Sequence, residues 1–261
     1  MELCALSSGS SGNCFYLEDK NNSILVDAGI SCRKIIERLN SINKNPENIK
    51  AIFLTHEHSD HIRGVDVFAR KFEIPIFGTK KTLNSRFICS NQELINEIDS
   101  NEILKFGNMQ VEAFSKMHLA SDPVSYVVNM KDRLGKNKRI GVITDLGKVC
   151  KNTSSQLRDL DFVFLESNHD IKMLDEGFYP WHTKKWIKSD LGHLSNSQAA
   201  LGVLEHASSK LKNIILSHIS ENNNTNQLAL NTFKSLIKER RDLKPELSLS
   251  VREFPSRVFS L

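Results

Sequence analysis

Thr55-His56-Glu57-His58-Ser59-Asp60-His61 stands directly after the apolar run Ala51-Ile52-Phe53-Leu54, and its reading decides the rest of the chain. The apolar run has the composition of a buried strand, so the potential ligands arrive on a loop at a strand end. Side chains two apart on extended backbone point to the same side. His56 and His58 can therefore grip one cation, while Asp60 and His61, where the chain turns, grip another. Imidazole and carboxylate together suit zinc first, with manganese or iron(II) also accommodated. The competing reading is an exposed polar loop in which histidines coincide by chance; four ligands in six residues weigh against it.

Upstream, residues 2–6, 14–17 and 24–27 read as short strands, the last two joined by a polar turn over 18–23. Between the first two lies a loop with Ser10, Ser11, Gly12 and Asn13. Its glycine permits close backbone approach, and its hydroxyls and amides suit either an oxyanion or a plain turn. Asp27, at the end of the third strand, either braces a ligand histidine as hydrogen-bond acceptor or shapes the turn before Ala28-Gly29. Ile35, Ile36, Leu39 and Ile42 recur at helical spacing, and Pro46 closes the connector into the ligand-bearing strand.

Downstream, Val65, Phe68, Ala69 and Phe72 predict a second helix, 74–77 a strand, and 79–99 an interrupted helical excursion. A tight turn at 106–109 feeds an alternating run, and 124–130 and 139–144 read as strands joined by a basic loop over 131–139. The strand at 161–166 ends in Glu166, with His169 close behind; the two are either acceptors and donors supporting a metal site or a buried hydrogen-bonded pair. In the segment 178–193, Phe178, Tyr179, Trp181 and Trp186 could stack bases while Lys184, Lys185 and Lys188 meet phosphates. The alternative is an irregular excursion anchored by its aromatics.

Ser195-Asn196-Ser197-Gln198 has the spacing of a capping box, followed by Ala199, Ala200, Val203, Leu204 and Ala207. His193 thus sits just before a helix N-terminus. It either holds a phosphate there and protonates a leaving oxygen, or makes a structural hydrogen bond. A strand at 213–217 ends at His218, Leu228, Leu230, Phe233, Leu236 and Ile237 predict the last helix, and Leu247, Leu249 and Val251 a final strand.

At 261 residues and 39% apolar composition, one α/β domain spanning 1–261 is expected. No apolar run nears the roughly 18 residues of a membrane span, and the start lacks a signal peptide's basic residues and apolar core, so a cytoplasmic protein without a membrane partner is expected. Five widely spaced cysteines, with no C-x-x-C pair, point to neither a disulfide framework nor a thiolate zinc knuckle. A net charge of +4, from 35 basic and 31 acidic residues, neither requires nor opposes a nucleic-acid partner.

The H-x-H-x-D-H pattern at 56–61 resembles the signature of the metallo-β-lactamase superfamily. Ser7-Ser8-Gly9-Ser10-Ser11-Gly12-Asn13-Cys14, Leu25-Val26-Asp27-Ala28-Gly29, Gly141-Val142-Ile143-Thr144-Asp145-Leu146-Gly147, Gly192-His193-Leu194-Ser195-Asn196 and Leu216-Ser217-His218-Ile219-Ser220-Glu221-Asn222-Asn223 resemble its YycJ/WalJ branch. The resemblance implies a four-layer αβ/βα sandwich with two divalent metal ions. It implies His56, His58 and His118 on one ion, Asp60, His61 and His218 on the other, and Asp145 between them. Asp60 and His193 would serve catalysis, with a hydroxide shared by the two ions as nucleophile. The implied activity is 5′-to-3′ exonuclease action on DNA in the cytoplasm. The interval from Asp145 to His218 leaves no room for the large inserted domain of the β-CASP nucleases. Two other functions fit the ligand set, a thioester or lactone hydrolase and a metal-stabilised, non-catalytic nucleic-acid-binding module.

Overall fold

Buried strands decide where the site residues stand. The computed structural model describes residues 1–19, 22–132 and 134–261. The centre of the predicted turn at 18–23 and position 133 of the predicted basic loop lie outside the described residues. The chain forms two compact units, one of Met1–Ser115, Ala120–Lys138 and Val251–Leu261, the other of Lys116–Leu119 and Arg139–Ser250.

In the first unit, β1 (Glu2–Ser7), β2 (Cys14–Asp19) and β3 (Asn22–Val26) run antiparallel, where short strands are expected at 2–6, 14–17 and 24–27. Helix α1 (Cys32–Ser41) follows, its first turn capped by the Ser31 side chain and its buried face made by Cys32, Ile35 and Leu39. This crossover returns the chain to β4 (Ile49–Phe53) parallel to β3, with Leu25 opposite Ile52 and Val26 opposite Phe53. The short helix α2 (Ser59–Ile62) and α3 (Val65–Phe72) lead to β5 (Ile76–Gly78), also parallel.

The expected helical excursion over 79–99 is only partly helical. After α4 (Lys80–Ser85) the chain makes one 3-10 turn and then β6 (Ile95–Glu97), which pairs with β5, so edge pairing overrides local helix preference. The last strand, β14 (Phe259–Ser260), adds to β1 from a tail that carries no sequence signal. Among the described residues the sheet order is β14-β1-β2-β3-β4-β5-β6. The unit also holds an antiparallel meander, β7 (Ile103–Phe106), β8 (Met109–Ser115) and β9 (Val124–Lys131). Gly107 at φ +58° closes its first hairpin.

Phe53 stacks on Phe77 at 5.1 Å and meets Tyr126 edge-on, while the Tyr126 hydroxyl donates to the Leu54 carbonyl. These contacts fix the end of β4. Each buried ring of this kind contributes on the order of 2 kcal/mol.

In the second unit β10 (Asn137–Ile143), β11 (Phe162–Glu166), β12 (Asn213–Ser217) and β13 (Glu246–Leu249) are all parallel. Their connections carry α5 (Lys151–Leu157), α6 (Ile171–Glu176), α7 (Trp181–Ile187), α8 (Asn196–His206) and α9 (Asn226–Ile237). The segment read as an irregular excursion contains α7, which Pro180 starts and two lysines in the last turn favour. The capping box of α8 forms as its spacing predicts. In α9 Phe233 and Ile237 are buried as expected, together with Ala229, while Leu230 and Leu236 are half-buried and Leu228 is exposed. Parallel pairing brings the carboxyl ends of β10, β11 and β12 to one edge, where ligands collect in sheets of this kind.

Candidate metal centre

In the first unit β4 delivers Thr55 to His61 onto the start of α2. His56, Glu57 and His61 are buried and His58 half-buried. His56 Nε2 faces His58 Nδ1 at 3.0 Å, near the spacing of two atoms sharing one cation at about 2.0–2.1 Å each. His61 Nδ1 lies 2.7 Å from Asp27 Oδ2, and the Asp27 carboxylate also accepts from the Thr55 amide and hydroxyl at 2.8 and 2.9 Å. His61 therefore presents Nε2 on the other side, 3.4 Å from Asp60 Oδ2. The Asn13 amide nitrogen stands 3.2 Å from Asp60 Oδ2 and 3.1 Å from His61 Nε2. Glu57, the carboxylate inside the motif, turns away to accept from the Ser121 amide and hydroxyl.

Loop and motif lock together through backbone. The Asn13 amide donates to the Asp60 carbonyl, the Ala28 amide to the His61 carbonyl and the Gly64 amide to the Ala28 carbonyl. Gly29 makes this approach feasible, because a Cβ on it would sit 1.6 Å from the Asp60 carbonyl oxygen. Of the predicted oxyanion loop, Asn13 and Gly12 are buried, whereas Ser10 and Ser11 face solvent. Thr55 and Gly29 were missed as site residues although both stand inside quoted stretches, because their contacts arise only in the folded chain.

In the second unit Asp145 follows β10, Glu166 ends β11 and His218 follows β12. The segment bearing His118 is pinned beside β10, with Lys116 Nζ donating to the Thr144 carbonyl and the Gly147 amide to the Met117 carbonyl, both at 2.8 Å. His118 Nδ1 donates to the Gly192 carbonyl at 3.1 Å, so the ring presents Nε2, 3.9 Å from Asp145 Oδ1. Burial pushes the His118 pKa down to about 3 against the opposing charge of Asp145. The ring is therefore neutral and keeps the lone pair a cation needs.

Glu166 is fully buried and is a hub. Its Oε1 accepts from His193 Nδ1 at 2.8 Å and His218 Nδ1 at 2.9 Å, and its Oε2 accepts from the Leu146 and Leu194 amides. Burial alone would raise its pKa; the charges and hydrogen bonds of His193 and His218 outweigh that and hold it below the ordinary carboxylate value. Asp145, Glu166, His193 and His218 each bring a ligand atom within 4.8 Å of the others. Among the described residues no hydrogen bond joins His169 to Glu166, whose charge only partly offsets the effect of burial on the ring. His169 is buried, its Nδ1 has no hydrogen-bond partner among the described residues, and burial lowers its pKa to about 4.

The donor set is thus imidazole nitrogens oriented through their far nitrogen by carboxylate or carbonyl, together with carboxylate oxygens. Such a set fits divalent metal ions. Among the described residues no helix is long and apolar enough to cross a membrane.

The sequence pattern of the metallo-beta-lactamase superfamily matches residues 8–87. Exodeoxyribonuclease WalJ of Streptococcus pneumoniae is 39% identical over 232 residues, covering 86% of this chain and 83% of its own. Exodeoxyribonuclease YycJ of Bacillus anthracis is 33% identical over 245 residues, 92% of this chain and 90% of its own. The metallo-beta-lactamase fold protein YhfI of Bacillus subtilis superposes with a TM-score of 0.70 over 98% of both chains at 14% identity. That likeness is one of fold. It bears out the expected mixed α/β architecture of two sheets and helices.

Proposed function

Because the chain belongs to the metallo-β-lactamase superfamily, in the family of the WalJ and YycJ exodeoxyribonucleases, we propose that it is a metal-dependent exonuclease acting on DNA. The identity with those two proteins over most of the chain is the observation that carries the reading. Residues 1–261 act as one metallohydrolase domain. On that reading His56, His58 and His118 would hold one ion and Asp60, His61 and His218 the other, with Asp145 available to either. Zinc suits these donors best, with manganese or iron(II) as alternatives. Such a pair supplies an activated water and charge neutralisation at the phosphoryl group.

The chain's own groups do the rest. Asp27 and Glu166 fix the Nδ1 atoms of His61 and His218, so their rings cannot turn. Glu166 likewise fixes His193 Nδ1, and His193 Nε2 is the atom to meet a phosphoryl oxygen or to protonate the leaving oxygen. The loop with Ser10, Ser11, Gly12 and Asn13 contacts the terminal phosphate, and digestion runs from a 5′ end. The five free thiols suit a reducing cytoplasm, where we place the protein.

The test offers zinc- or manganese-loaded protein a 5′-phosphorylated duplex and, separately, a thioester and a lactone. Release of mononucleotides from the duplex, abolished by chelation and restored by either metal, is expected. Consumption of the thioester or lactone with the duplex intact would move the chemistry to carbonyl carbon, and three untouched substrates would leave only a binding role.

A further inference from the structure

Helix α7 carries a surface that the chemistry proposed above does not use. Trp181, Lys184, Lys185 and Lys188 fall at i, i+3, i+4 and i+7, which places them along one helical face. With Asp175 and Ser189 they line an open depression of about 690 Å³. The Trp181 indole is 74% exposed, unusual for the largest apolar ring, and Lys185 Nζ stands 5.1 Å from its centroid. Lys188 Nζ pairs with Asp175 Oδ1 at 2.6 Å and Lys184 Nζ donates to the Asp175 carbonyl at 2.8 Å. Only Lys188 thus meets the Asp175 carboxylate, and the lining sets three lysines against one acid, an excess of positive charge.

The other side of the same helix is tied to His193. Ile187 is buried, its carbonyl accepts from the His193 amide at 2.9 Å, and the Trp186 ring meets the His193 ring edge-on at 5.5 Å. The depression and His193 are therefore two faces of one short, anchored element.

We propose that this depression is a strand-binding subsite for nucleic acid, in which a base stacks on the open face of Trp181 while adjoining backbone phosphates meet Lys185 and Lys188. It takes its substrate class from the nuclease reading. A small apolar ligand is disfavoured by the openness and the charge. A small anion has no use for the exposed indole. A polyanion carrying flat bases uses both, as single-strand-binding surfaces do. Among the described residues no Asn, Gln or Arg lines the depression to read base edges, so binding is indifferent to sequence.

The experiment measures equilibrium binding of metal-loaded protein to a short 5′-phosphorylated single strand whose phosphorothioate linkages resist hydrolysis, by fluorescence anisotropy across a salt series. Trp181→Ala is expected to weaken binding about tenfold, and Trp181→Phe by less because a ring remains. Lys185→Ala/Lys188→Ala is expected to flatten the slope of log affinity against log salt by about 0.7 per lost phosphate contact. These side chains lie on an exposed helical face, and circular dichroism verifies that each variant is folded. Wild-type affinity and slope in both alanine variants, or no binding by the unaltered protein, overturns the proposal. Weakened binding in the variants of a protein that hydrolyses no nucleic acid leaves the subsite standing and removes the nuclease reading. Hydrolysis by the unaltered protein with unchanged binding in the variants does the reverse.

Discussion

Asp27, Asp145 and His218 share a backbone feature: each follows a buried strand and takes a left-handed conformation, with φ of 60°, 54° and 54°. Asp and His tolerate that region better than most residues, yet it still costs about 1 kcal/mol or more at each position. The turn redirects a side chain that strand geometry would have sent above or below the sheet. Asp60 needs no such strain, being in the first turn of α2, and it is half-buried. Asp60→Ala is therefore expected to lower hydrolysis of a 5′-phosphorylated duplex by more than about a hundredfold while the circular dichroism spectrum stays unchanged. Ordinary turnover, or an unfolded variant, would contradict this role for Asp60. His56, His58, Asp60 and His61 were legible because they are neighbours in the chain. The grip of Glu166 on His193 and His218 was not, because it closes only across paired strands.

At the scale of elements, the close approach of the loop after β3 to α2 depends on Gly29. A methyl group there would meet the Asp60 carbonyl at 1.6 Å, and backbone rather than a flexible side chain would have to move. Gly29→Ala is expected to cost about 3 kcal/mol or more and to weaken metal uptake together with stability, read from denaturant midpoints and metal titration. A midpoint within about 0.5 kcal/mol of the wild type would show that the loop yields easily. The elements most legible beforehand were those with strong local signals, such as α8 with Ser195 and Gln198 or the apolar strands. Those misread depend on pairing: β6 forms because β5 offers an edge, and β14 because β1 does. The excursion at 178–193 hid α7 because its aromatics follow no clear apolar period.

At the scale of the whole molecule, resemblance of scattered motifs spoke for the fold sooner than composition could, since 39% apolar content and a charge of +4 suit many α/β proteins. Its stability should depend on acid in a particular way. Burial holds His169 at about 4, below the roughly 6.5 of an exposed histidine. The unfolded chain takes up that proton first, so the contribution is complete above pH of about 6.5 and is lost as pH falls toward about 4. His169→Gln is expected to unfold with a shallower pH dependence across that window, by an amount on the order of 3 kcal/mol, in urea titrations at fixed pH. Parallel curves for the two proteins would argue that the ring is already protonated when folded.

A single carboxylate oxygen, Glu166 Oε1, receives both His193 and His218. The two imidazoles consequently draw on the electron density of one shared acceptor, and removing either lets the survivor tighten its hold. Harm from altering the pair together should then differ from the total of the separate harms by at least about 0.5 kcal/mol, measurable in a thermodynamic cycle on unfolding.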